Sequence, residues 1–121
     1  LTFEHGDRVG GRYGARHPGD WLLTNKPCRN TIFGHSHKVS VEHRTIWEWQ
    51  DDTMQPVVYG AWNQGHGCDA VKQADWQPDA NWCQGFTLIE IFTGGFSVHP
   101  IVIIDGRFSW GGKVYDSRKC M

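Results

Sequence analysis

Residues 39–63 constrain the fold more than any other stretch. VSVEHRTIWEWQ (39–50) alternates apolar and polar side chains at Val39 and Val41, with a phase slip before Ile46. Asp51-Asp52 breaks the run, and PVVYGAWN (56–63) reads as a second strand. Side chains on a strand leave its two faces alternately, so this rhythm commits the region to a sheet with a packed face. Trp47 and Trp49 share one face, which predicts core or inter-sheet contacts for both.

The rest of the chain extends that reading. TIF (31–33) is a short buried strand, and FTLIEIF (86–92) and FSVHPIVIID (96–105) are two more, followed by FSW and KVY segments. Gly94-Gly95 and Asp105-Gly106 supply the hairpin turns. Pro100 belongs on an edge strand or at a bulge. Residues 6–20, GDRVGGRYGARHPGD, carry glycines and Pro18 that argue against a long regular helix. Asp20 caps a short helical turn at Trp21–Leu23. Residues 63–85 read as a long loop, a length usually tied to function or docking. Loop packing over the sheet edge is the expected use of Trp76 and Trp82. The predicted class is α+β and β-rich, in one domain spanning 1–121.

Composition narrows the partners. A net charge of −1 over 121 residues offers no electrostatic grip on nucleic acid or an anionic membrane. No apolar run approaches the roughly 20 residues of a membrane span. The four cysteines, Cys28, Cys68, Cys83 and Cys120, form no CxxC pair and read as free thiols in a reducing, cytoplasmic setting. Leu1 in first place reads as processing or as a fragment.

Seven histidines are the compositional oddity. His35 and His37 stand in GHSH, directly after the TIF strand. Imidazole is a common neutral ligand for transition metals, and two ligands on one rigid turn lose little entropy on binding. A polar turn with incidental histidines is the alternative. His5 repeats the layout: an apolar strand-like start, then histidine, then Gly6. His66 precedes Gly67-Cys68, and a mononuclear zinc site from His35, His37 and Cys68 is chemically allowed, although its spacing matches no closed zinc motif. His43 has a sheet-face or solvent role. Arg8, Arg12 and Arg16 recur every fourth residue beside His5; they are phosphate-binding candidates or a solvated loop.

LTFEHG followed by TIFGHSH resembles the last two motif blocks of calcineurin-like metallophosphoesterases. GAWNQGHGCD and GFTLIEIFTGGFSVHPIVIIDGRFSWGGKVYD are similar to the closing β-hairpins of that domain, most of all in bacterial and phage members. The resemblance covers the whole chain but only the C-terminal half of the family domain. It implies a four-layer α/β/β/α sandwich with two divalent metal ions (manganese, zinc or iron) at the strand ends. It implies that His5 and His35 ligate one ion and His37 the other; Arg8 or Arg12, beside His5, are then the candidates for substrate phosphate. The implied reaction is hydrolysis of a phosphate ester by a metal-bound hydroxide.

The family's upstream DxH, GDxxD-like and GN-H blocks are not in this chain. The bridging carboxylate must therefore come from an N-terminal half of the same enzyme or from a complementing chain. None of the residues here is assigned a catalytic role beyond metal and phosphate binding. The alternative is a non-catalytic β-rich binding or assembly module that keeps a vestigial metal loop.

Overall fold

The computed structural model describes residues 1–9, 11–67 and 82–119, without the side chains of Arg12, Tyr13 and Ala15. Its centre is a four-stranded mixed sheet in the order β1-β2-β4-β3. The strands are β1 (Thr2–Glu4), β2 (Thr31–Phe33), β3 (Val39–Gln50) and β4 (Thr53–Gln64). β1, β2 and β4 run parallel, and β3 returns antiparallel along β4. Parallel neighbours cannot be joined by a tight turn. Between β1 and β2 the chain crosses over through α1 (Gly11–Arg16) and α2 (Pro18–Asn25).

The register assigns the faces. Thr31 and Phe33 pair with Ala61 and Asn63 and share a face; Ile32 pairs with Trp62 on the other. On the first face Leu22 and Leu23 of α2 pack on Phe33 and Ala61, with Val9, Trp21 and Tyr59 around them. Each such apolar side chain contributes roughly 1.5–3 kcal/mol by leaving water. On the second face Trp62 meets Phe96 edge-on, with ring centroids 6.3 Å apart. Phe96 belongs to the hairpin of β5 (Gly85–Phe92) and β6 (Gly95–Val102). The layers are thus helices, mixed sheet and hairpin, a β-rich α+β arrangement. Gly60 is needed beneath Trp62, whose indole occupies the space a Cβ would take. A second hairpin, β7 (Arg107–Trp110) with β8 (Lys113–Asp116), packs on the outer face of the first. Phe108 meets Phe86 at 5.0 Å, and Trp110 meets His99 at 4.8 Å.

Several expectations are corrected. The phase slip before Ile46 leaves the backbone pairing untouched: the β3–β4 register is unbroken from Val39↔Gln64 to Gln50↔Thr53. Ile46 simply points to the opposite face from Val41. Asp51 and Asp52 have φ of 45° and 62°, the two left-handed residues of a type I′ hairpin turn. Trp47 and Trp49 are not core residues: they are 62% and 72% exposed, beyond the reach of the β5–β6 layer. Asp20 does not cap a helix. It lies in the first turn of α2, whose N-cap is His17 with Pro18 next, a residue suited to the first helical turn. Pro100 sits in β6 opposite Thr87 and, as expected, on an edge strand, since β5 and β6 form a two-stranded sheet. The middle of the 63–85 loop, with Cys68 and Trp76, lies outside the described residues, as does Cys120. Cys28 and Cys83 are free thiols. Among the described residues no helix is long and apolar enough to cross a membrane.

Candidate metal and phosphate site

Three parallel strands end at the same edge of the sheet, and each delivers histidine there. The last paired residues are Glu4 on β1 and Phe33 on β2, with Asn63 of β4 in line with Phe33. His5 follows β1 directly, His35 and His37 follow β2, and His66 lies two residues past β4. Carboxyl ends of parallel strands are where sheets of this kind place their ligands.

The GHSH turn sorts its two imidazoles. His35 and His37 have φ of 70° and 58°, both in the left-handed region. That conformation costs a non-glycine residue on the order of 1–3 kcal/mol, though histidine tolerates it better than most. The Ser36 amide donates to the Gly34 carbonyl at 2.9 Å, closing a tight turn. Asn63, fully buried, donates through Nδ2 to the Ser36 hydroxyl and holds the turn from below. Gly6 has φ of 88°, and a Cβ there would stand 2.6 Å from the Gly34 carbonyl oxygen. The ends of β1 and β2 therefore touch backbone to backbone.

As a result His5 Nε2 and His35 Nδ1 lie 3.1 Å apart, on two exposed rings set edge to face. With metal–nitrogen bonds of about 2.0–2.1 Å, that separation subtends an angle of about 100° at a shared ion. This suits tetrahedral or octahedral coordination. His37 turns the other way. Its ring lies 4.6 Å from Trp82 and stacks with His66 at 5.3 Å. The His37 carbonyl accepts from the Cys83 amide at 2.8 Å, and the Cys83 carbonyl accepts from the His66 amide at 3.2 Å. These bonds strap Trp82 and His66 over the turn. His37 Nδ1 is buried without a hydrogen-bond partner among the described residues. Burial, and after it the charge of His37, depresses the His66 pKa below its usual value. His66 is thereby biased towards the neutral, ligand-competent form.

Two clefts flank the pair. One of about 310 Å³ is lined by His5, Asp7, Arg8 and Lys26, with Lys26 tied to Glu4 in an ion pair. The other, about 490 Å³, runs past Gly34, His35, His37, Lys38 and Trp82. Arg8 thus shares a cleft with His5. Arg12 lies in α1, and its side chain is outside the described residues. Among the described residues no three His, Cys, Asp or Glu side chains converge as a metal-holding group. The sequence reading passed over Asn63 and Lys38. Asn63 carried one signal, a polar side chain directly after the apolar Ala61-Trp62.

Compared with protein-family models, with curated proteins and with solved structures, the chain matches none.

Proposed function

We propose that this chain is the C-terminal part of a calcineurin-like metallophosphoesterase that hydrolyses phosphate esters. The observation carrying this reading is the 3.1 Å approach of His5 Nε2 to His35 Nδ1, while His37 is aimed elsewhere by the same turn. Two imidazoles on one ion and a third imidazole for a second ion is the division the family resemblance requires. In this reading His5 and His35 hold one divalent ion and His37 contributes to the other. Two such ions lower the pKa of a bound water and offset charge on the phosphoryl oxygens. Arg8, in the cleft beside His5, binds a phosphate oxygen pair.

Neutral imidazoles alone leave two dications uncompensated. The bridging carboxylates come from an N-terminal half or a complementing chain. The helix, sheet and hairpin layers then form three of the layers of a four-layer sandwich. β1 supports this: it is an edge strand in the described sheet, with Phe3 65% exposed. The second reading, a non-catalytic module, is favoured by the lack of a three-ligand group among the described residues.

The test is metal content and aryl-phosphate hydrolysis with manganese, measured on the natural gene product together with any complementing chain. The expected result is two metal ions per complex and an activity abolished by His37→Ala. A complex that binds no metal and hydrolyses nothing overturns the enzyme reading.

A further inference from the structure

β3 is a 12-residue strand whose outer edge pairs with no described strand. Natural edge strands are usually blunted by charged side chains (lysine above all), proline, a bulge or brevity. β3 has no proline, lysine or bulge, its register is unbroken, and its charges, Glu42, Arg44 and Glu48, are of both signs. The opposite strand does carry such a device. Pro56 of β4 stands opposite Trp47.

The direction of the β3 backbone groups follows from the turn. A two-residue type I′ hairpin closes on a hydrogen-bonded pair, here Gln50↔Thr53. Pairs alternate along the ladder. Gln50, Glu48, Ile46 and Arg44 therefore bond inward to β4, and Trp47↔Pro56 falls on a non-bonded position where no proline N–H is missed. His43, Thr45, Trp47 and Trp49 direct their N–H and C=O groups outward. These four residues are all exposed.

We propose that β3 pairs with β3 of a second copy, antiparallel about a twofold axis at Ile46, joining the two mixed sheets through one continuous ribbon. The argument for a second copy is charge complementarity. In this register Arg44 of each copy opposes Glu48 of the other, twice by symmetry, and Glu42 opposes Gln50. Trp49 opposes His43, and the two Trp47 side chains are diagonal neighbours on one face, within reach of each other. Neighbouring registers of the same parity fail. Centring on Arg44 opposes the two arginines. Centring on Thr45 opposes Glu42 to Glu48, and centring on Trp47 leaves every charge unpaired. Centring on His43 drives each tip into the segment at Cys83 that is already bonded to the His37 carbonyl.

The test is sedimentation of the wild-type chain and three variants, with circular dichroism to verify folding. The wild type sediments as a dimer. Arg44→Glu places like charges opposite each other twice and raises the dimer dissociation constant by about a hundredfold or more. The double exchange Arg44→Glu with Glu48→Arg restores the dimer. Ile46→Cys lies on the twofold at a non-bonded pair, where Cα atoms are about 4.5 Å apart, within disulfide reach. It gives a covalent dimer on mild oxidation well above the yield of the wild type, whose own cysteines set the background. A monomeric wild type overturns the proposal. So does a folded Arg44→Glu variant that dimerises as tightly as the wild type, or an Ile46→Cys variant with only background cross-linking.

Discussion

The two ends of β4 show how unevenly one strand can be used. It starts in a two-stranded ribbon where Met54 and Val58 are 48% and 58% exposed, opposite the exposed Trp49 and Thr45. It ends at Ala61, Trp62 and Asn63, all buried between the helices and the β5–β6 hairpin. The first end departs from regular strand geometry at its exposed turn, Asp51-Asp52, with φ of 45° and 62°. At the second, left-handed histidines, a buried amide and a glycine contact between strand ends are crowded into a few residues. Burial is concentrated at the second end, and residues strained there persist because their surroundings over-determine them. The ribbon holds apolar surface that the described fold does not bury.

Substitutions at the two ends measure this contrast. Phe33→Ala, at a residue 1% exposed, costs about 3–5 kcal/mol in urea unfolding. Val58→Thr changes stability by no more than about 0.5 kcal/mol. Equal costs would break the comparison. Asn63→Ala comes next, at about 1–3 kcal/mol, because it strands the Ser36 hydroxyl beneath the turn. Hydrogen exchange at the Cys83 amide, which the turn holds through His37, accelerates with it. Gly6→Ala and Gly94→Ala both place a Cβ at positive φ, but only Gly6 faces a carbonyl oxygen at 2.6 Å, and Gly94 meets nothing within 4 Å. Gly94→Ala therefore costs about 1 kcal/mol, and Gly6→Ala more. The difference between them reports how firmly β1 and β2 are held together.

The smallest effect lies outside both ends. Arg118, bonded to Asp116 through Nε and Nη2, draws the Asp116 carboxyl down to about 2. A depressed carboxylate favours the fold above its unfolded pKa, near 4, and that contribution disappears as the pH falls towards 2. Arg118→Gln removes only this shallow acid-side slope. A change at neutral pH in the histidine end would contradict the independence of that end from the β7–β8 hairpin.

The strands were legible because alternation and turn residues are local. The TIF strand and the β3–β4 pair fall close to their expected places, and Asp51-Asp52 marks the turn. What could not be read was which faces would be covered. Trp47 and Trp49 alternate as a packed face does, but whether a layer lies over them depends on how far β5–β6 extends. Helix α2 was half legible: a short helical turn at Trp21–Leu23 was expected, but its start at Pro18 was not, and Leu22 and Leu23 find Phe33 and Ala61 only once β2 and β4 are paired. At the site, the histidine motifs were visible and the geometry was not. The separation of His35 from His37 rests on two left-handed residues and on Asn63, a contact 27 positions away in sequence from Ser36.

That separation is best tested by following the histidine ring resonances during a zinc titration. His5 and His35 should shift together at one zinc concentration, with His37 responding separately, and His5→Ala should abolish the response of His35 while the fold persists. A His35 response unchanged by His5→Ala, or joint titration of His35 with His37 instead, would contradict the shared site.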